Sequence, residues 1–250
     1  MSTLREKTDH FDINHFTIRE MTECGKALRM IGEGSKSMEE VANRIVRYLY
    51  NGLIDGQNNG ARACSLVRLF KTHAYSGLDP ELQEFARNML GDKPADPEMK
   101  CMVLLATAGE ELEWQSRMTS KGHKAVPLPS EKAMAQIPMF LPLIRQFGMN
   151  VDMVVKPDPR YLLDLEQRTF NVYYVPEALG NPYIPAQRDF IIPYGIKSIL
   201  GFGGLLPSGD MFAVPMFFKV PVSREVADLF RPLSLNVKVA ILPFESTVFA

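Results

Sequence analysis

The residues with most chemistry to offer begin at Lys121, in the segment KGHKAVPLP at 121–129. A histidine, His123, stands between two lysines on a loop started by Gly122. Such a group can bind an anion or ligate a metal or a haem. The same residues also make an ordinary solvated basic loop, because a lone imidazole with no partner at ligand spacing is a weak signal. Arg68 is the second candidate. It falls mid-strand in ACSLVRLFK, 63–71, on the face that alternation assigns to Cys64, Leu66 and Phe70. A charge there must pair or reach solvent. In a pocket it meets an anionic ligand; at a sheet edge it makes an ion pair or is simply exposed.

The other chemistry-bearing residues are weaker signals. Cys24, Cys64 and Cys101 are odd in number and widely spaced, which fits a reducing cytoplasm and no disulfide framework. Cys101 and Cys64 each open a strand and read as small buried hydrophobes, with a redox or haem-thiolate role as the sharper alternative for either. His10 and His15 are five apart and share no helix face; His73 stands alone. Neither Cys-x-x-Cys nor His-Glu-x-x-His occurs, so no structural zinc site is expected. GFGGLL, 201–206, lacks the third glycine of a dinucleotide fingerprint and leads into a hairpin, so its glycines read as turn and bulge residues. The clustered carboxylates of EELE, 110–113, read as a solvated loop. Tyr173, Tyr174, Tyr183, Tyr194 and Phe202, with Trp114, are candidates to line a cavity, since tyrosine joins a rigid apolar body to a hydrogen-bonding tip. The ligand-binding set expected from sequence is therefore Arg68, Cys101, His123, Tyr173, Tyr194 and Phe202. No catalytic constellation and no metal motif is found.

These residues need elements to hold them. Apolar spacing predicts helices over about 11–31, stopped by Gly32 and Gly34, and over 37–53, where Ser37 and Glu40 have capping-box spacing. Strands are predicted at 63–71, 101–108, 170–175, 196–202 and 211–218, the last two joined by the turn GGLLPSGD. The run CMVLLATA, 101–108, is apolar on both faces and reads as a central, doubly covered strand. A short helix is expected over 79–90 with Pro80 at its first position. Another is expected over 131–147, interrupted by Pro138 and Pro142. The last is expected over 223–241, capped by Ser223, kinked by Pro232 and ended by Pro243. Pro215 inside a strand marks an edge or a bulge. The resulting fold class is α+β: an antiparallel sheet with the terminal helices packed on one face. The connection from Ala108 to Phe170, about 60 residues, is too long for a plain loop and is expected to be a structured insertion, a lid over the pocket side.

Composition bounds the function. The 250 residues carry 28 Lys+Arg against 29 Asp+Glu, a formal charge of −1, with 46% apolar residues. That balance gives no reason to expect nucleic-acid binding and argues against global disorder. There is no apolar run of about 18 residues, so no membrane insertion is expected, and MSTLREKTDHFD does not read as a secretory signal. A cytoplasmic, single-domain protein without repeats is expected.

A resemblance sharpens this reading. GIKSILGFGGLLPSGDMFAVPMFFKVPVSREVADLFRPLSLNVKVAIL, 195–242, resembles the close of a GAF domain: strand, glycine turn, strand, closing helix. SMEEVANRIVRYLYNGL, 37–53, leading into ACSLVRLF, 63–70, resembles its entry helix and first strand. WQSRMTSKGHKAVPLPS, 114–130, and NVYYVPEALGNPYIPAQRDFIIPYGIKSILGFGG, 171–204, extend the likeness to a GAF-like region found at the N-termini of bacterial multidomain sensor kinases and cyclase-type regulators. The likeness spans about 35–242. It divides the chain into an N-terminal helix, 1–34, a GAF/PAS-like core, 35–108 and 170–242, an insertion, 109–169, and a tail, 243–250. It implies a signal-transduction domain that binds a small-molecule ligand and passes ligand occupancy to an output domain such as a histidine kinase; the apolar stripes over 13–31 and 226–241, which need burial, add the expectation of a homodimer packed through its terminal helices. The alternatives are a structural or adaptor domain that recruits a protein partner without a ligand, and a haem-bound gas or redox sensor using His123 or a cysteine.

Overall fold

A six-stranded antiparallel sheet divides the molecule into a helical layer and a layer of irregular chain. The computed structural model describes residues 9–135, 137, 139–155 and 171–249. In chain order the elements are β1 (Phe11–Asp12), α1 (Ile18–Met30), α2 (Met38–Gly52), β2 (Leu53–Asp55), β3 (Ala61–Arg62), β4 (Cys64–Ala74), α3 (Pro80–Leu90), β5 (Lys100–Gly109), β6 (Ala125–Pro127), α4 (Glu131–Met134), α5 (Phe140–Gln146), α6 (Val151–Val155), β7 (Asn171–Val175), β8 (Ser198–Leu205), β9 (Met211–Phe218), α7 (Arg224–Asp228) and α8 (Arg231–Ile241). The main sheet has the order β6-β5-β4-β9-β8-β7; β1, β2 and β3 form a small separate ribbon. This is the α+β arrangement expected from sequence.

Local chemistry explains most boundaries. The first helix starts at Ile18, seven residues later than its apolar spacing predicts, because Thr17 and Glu20 form a reciprocal capping box there. Ser37 caps α2 by accepting from the Glu40 amide, and the Glu40 carboxylate takes the Lys36 amide. The predicted closing helix is two helices. Pro232, in the first turn of α8, has no amide to donate, and the chain turns at Leu229 and Phe230. The helix predicted over 131–147 is likewise two, α4 and α5. Pro142 is accommodated in the first turn of α5; Pro138 lies outside the described residues.

Two strand expectations are corrected. Gly201, Gly203 and Gly204 lie within β8, not in a turn. A Cβ on Gly203 would meet the Phe212 carbonyl oxygen at 2.2 Å and the Phe147 ring at 2.6 Å, so close approach of backbone and ring demands the glycine there. Pro215 sits on an interior strand, between β4 and β8, and not at an edge. Its missing donor is tolerated because the β4–β9 pairs jump from Val67↔Met216 to Phe70↔Ala213, leaving a gap at Arg68 and Leu69.

The helical face buries the larger core. Val67 and Leu69 of β4, Val103 and Leu105 of β5, and Phe202, Phe212 and Val214 pack under Leu28, Val41, Ile45, Leu49, Leu233 and Val237. Cys64 also belongs here, because a register shift between Cys64 and Leu66 turns it away from the face of Leu66 and Phe70. A bulge at Leu105 shifts β5 in the same way. α1 and α8 pack on each other: Arg29 donates to Asn236 Oδ1 at 2.9 Å, and Gly25 admits the Asn236 side chain. The apolar stripes of both terminal helices are thus largely covered within one chain. The other sheet face carries a second core, in which Phe70, Met102, Leu104, Tyr173 and Ala213 meet Met134, Phe140, Ile144, Phe147 and Val154. The described part of the 109–169 insertion therefore covers the face opposite the helices; residues 156–170 lie outside the described residues.

Candidate functional site

A cavity of about 400 Å³ lies between this second face and its cover, within the range of small-molecule pockets, roughly 300–1,000 Å³. Its floor is the outward rows of β4 and β9: Leu66, Arg68 and Phe70 with Met211, Ala213, Pro215 and Phe217. One wall is Trp114, packed in edge and tilted contacts against Phe190 at 5.6 Å and Tyr194 at 4.6 Å. The other side is built by the insertion, with Phe140 and Leu143 of α5. Phe190 belongs to a π-helical turn, Gln187–Ile191, and meets Phe217 edge-on at 5.0 Å. A buried ion pair holds the Trp114 loop in place: Arg117 donates to both Glu39 oxygens, at 2.6 and 3.0 Å.

The charged residues that line the cavity are Arg68, Glu113, Lys121 and Asp189. The Arg68 Nε is buried and has no hydrogen-bond partner among the described residues. Burial lowers its pKa to about 10, against the opposing pull of the Glu113 charge, and it remains a cation at neutral pH. Directly across the strand pair stands Thr107, on the same sheet face; its buried hydroxyl also lacks a partner. Glu113 does not neutralise Arg68 by contact, since its carboxylate is held by Lys121 Nζ at 2.6 Å. His123 lies at the mouth with a left-handed backbone, φ 62°. The residue is exposed at the surface, and the neighbouring protein partly desolvates the ring. That desolvation, then the Arg68 charge, holds the imidazole below its ordinary range, so it is neutral at pH 7. Lys124 points away, to Glu81 Oε1 at 2.7 Å.

Of the six residues expected to bind ligand, Arg68 and His123 line the cavity together. Tyr194 backs it through Trp114 and reaches Glu111 with its hydroxyl. Tyr173 is in the core of the same face, fully buried with an unpartnered hydroxyl, but does not line the cavity. Cys101 and Phe202 do not line the cavity. Both side chains lie in the helical core on the opposite face, where burial raises the Cys101 thiol to about 12 and keeps it protonated. Among the further aromatics, Trp114 lines the cavity, Tyr174 bonds the Val222 carbonyl elsewhere, and Tyr183 is exposed. The residues that sequence reasoning missed are Phe70, Phe140, Phe190 and Phe217. The alternation around Arg68 already marked Phe70.

A second polar cluster went unread in the sequence. Lys71 and Lys100 donate to the two oxygens of Asp210, at 2.6 and 2.7 Å. Thr72 hydroxyl donates to the same carboxylate at 3.3 Å. Burial raises the carboxyl and the two lysines outweigh it, so Asp210 titrates below its usual range. The cluster ties the start of β9 to β4 and β5.

No family model matches the chain, and no curated protein sequence does. Solved structures are similar to it. The chromophore-binding domain of an unusual bacteriophytochrome from R. palustris matches with 8% identity and a TM-score of 0.42, over 92% of this chain and 62% of that one. The GAF domain from an Acinetobacter phosphoenolpyruvate-protein phosphotransferase matches with 11% identity and a TM-score of 0.41, over 91% and 96%. A longer bacteriophytochrome structure from R. palustris matches with 8% identity and a TM-score of 0.43, over 93% of this chain and 39% of that one. This chain thus spans less than two thirds of the two bacteriophytochrome chains.

Proposed function

We propose that this chain is a cytoplasmic sensory or regulatory domain that binds a small molecule between the sheet and the insertion and relays occupancy to the helical layer. The observation that carries the reading is the mostly apolar cavity of about 400 Å³ with, on its floor, a cation that has no ion pair among the described residues. The floor strands serve both layers. Leu66, Arg68 and Phe70 face the cavity while Val67 and Leu69 pack under the helices. A ligand that favours one arrangement of β4 and β9 therefore favours one arrangement of α2 and α8, to the extent of its differential affinity for the two. The reading assigns the domain no reaction. A haem-thiolate variant of it is not supported, since Cys24, Cys64 and Cys101 all lie in the helical core.

Native mass spectrometry of the purified protein tests this. The expected result is a mass excess that is lost on denaturation and absent in Ala213→Phe, which fills the floor. If there is no excess, and a library of small acids, alcohols and amines shifts neither thermal midpoint nor fluorescence, the reading is wrong.

A further inference from the structure

We infer that the ligand is an amphiphilic carboxylate, with its carboxylate on Arg68 and its apolar body against Phe70, Phe140, Leu143 and Phe190. This rests on the sensory reading of the same cavity. Three observations carry it. First, a guanidinium on a sheet floor among apolar side chains is an expensive arrangement unless something answers it, and among the described residues no direct contact does: Arg68 has no ion pair, its Nε has no hydrogen-bond partner, and the Glu113 charge acts on it only through space. The nearest carboxylate, Glu113, is held by Lys121, and the other acid lining the cavity, Asp189, lies exposed at the rim. Second, the donor geometry fits two oxygens. A guanidinium is a planar fork matched to a carboxylate; Thr107, paired with Arg68 across the strands, is not part of the cavity lining, though its hydroxyl has no partner among the described residues. Third, most of the remaining lining is aromatic and aliphatic, with Glu113, Ser120, Lys121, Asp189 and neutral His123 as its polar members. A ligand with many hydroxyls or several charges would leave those groups without partners. One anionic end and an apolar remainder is the chemistry that satisfies both halves of the cavity.

Trp114 is the single tryptophan of the chain and lines the cavity, so its emission reports binding in place. Titration with decanoate and with decanol, which share a chain and differ in charge, separates the terms. Decanoate is expected to bind at least tenfold more tightly than decanol. Arg68→Met is expected to remove that preference while leaving decanol affinity within about twofold, and Arg68→Lys to keep part of it, since the charge remains and the fork does not. Equal affinities in the wild type, or a preference that survives Arg68→Met, overturn the carboxylate assignment and leave the pocket standing. Binding of neither probe, with no change of Trp114 emission, overturns the pocket reading as well. Arg68→Met is expected to fold, because methionine removes a desolvated charge from an apolar floor.

Discussion

Arg68 shapes its neighbours even with the cavity unfilled. Its charge is one of two causes that keep His123 neutral, the first being the partial desolvation of the ring. Removing it in Arg68→Met is expected to raise the His123 midpoint, read from its ring-proton shift by NMR, while leaving it below the ordinary 6.5 because the desolvation persists. An unchanged midpoint would mean that the two groups do not sense each other. The sign for stability follows. With a folded value below 6.5, the unfolded chain binds the proton more readily, so His123 favours the fold above pH 6.5 and opposes it as pH falls below. Arg68 was legible in the sequence because a charge interrupts an apolar strand. Cys101 and Phe202 were misplaced for a physical reason: both faces of β5 and β8 are buried, so alternation carries no polarity contrast to tell one face from the other. The bulges at Leu105 and near Cys64 then shift the phase within a strand.

Elements were easier to read than faces. The strong stripe of α2, the Ser37 cap and the doubly apolar β5 were plain in the sequence, while β6 is three residues inside the KGHKAVPLP segment and exists through its pairing with β5. The Lys71–Asp210–Lys100 cluster was invisible because its members are 139 and 110 residues apart. Its position gives it a clear role. Asp210 immediately precedes β9 and meets lysines from β4 and β5, so it anchors the β8–β9 hairpin to the other half of the sheet. Asp210→Asn leaves Lys71 buried, 2% exposed, without its counter-charge and is expected to cost about 3 kcal/mol in urea denaturation at pH 7. The carboxyl's contribution is complete above its unfolded value of 3.8 and is lost as pH falls through the lower folded value. Wild-type and variant stabilities are therefore expected to converge only in acid; a constant gap down to pH 2 would point to packing in place of charge.

At the scale of the molecule, the packing of the terminal helices bears on assembly. The terminal-helix stripes motivated a homodimer, but α1 and α8 bury most of them against each other and the sheet, leaving Ile18, Met30, Leu235 and Val239 exposed. We expect a monomer at micromolar concentration in sedimentation; a dimer there would assign the relay to those four residues. The sheet order itself has a further consequence. It is two three-stranded meanders, β4-β5-β6 and β7-β8-β9, that touch along one seam, β4 against β9, and the ladder along that seam skips Arg68 and Leu69. The cavity floor straddles the skipped stretch, with Arg68 on one side and Ala213 and Pro215 on the other. A molecule seated there acts as a rivet between two halves that are far apart in sequence and slow to find each other. Its departure would loosen the joint before either half unravels, so a bound molecule would lengthen the lifetime of the native state even where it leaves the average coordinates unchanged.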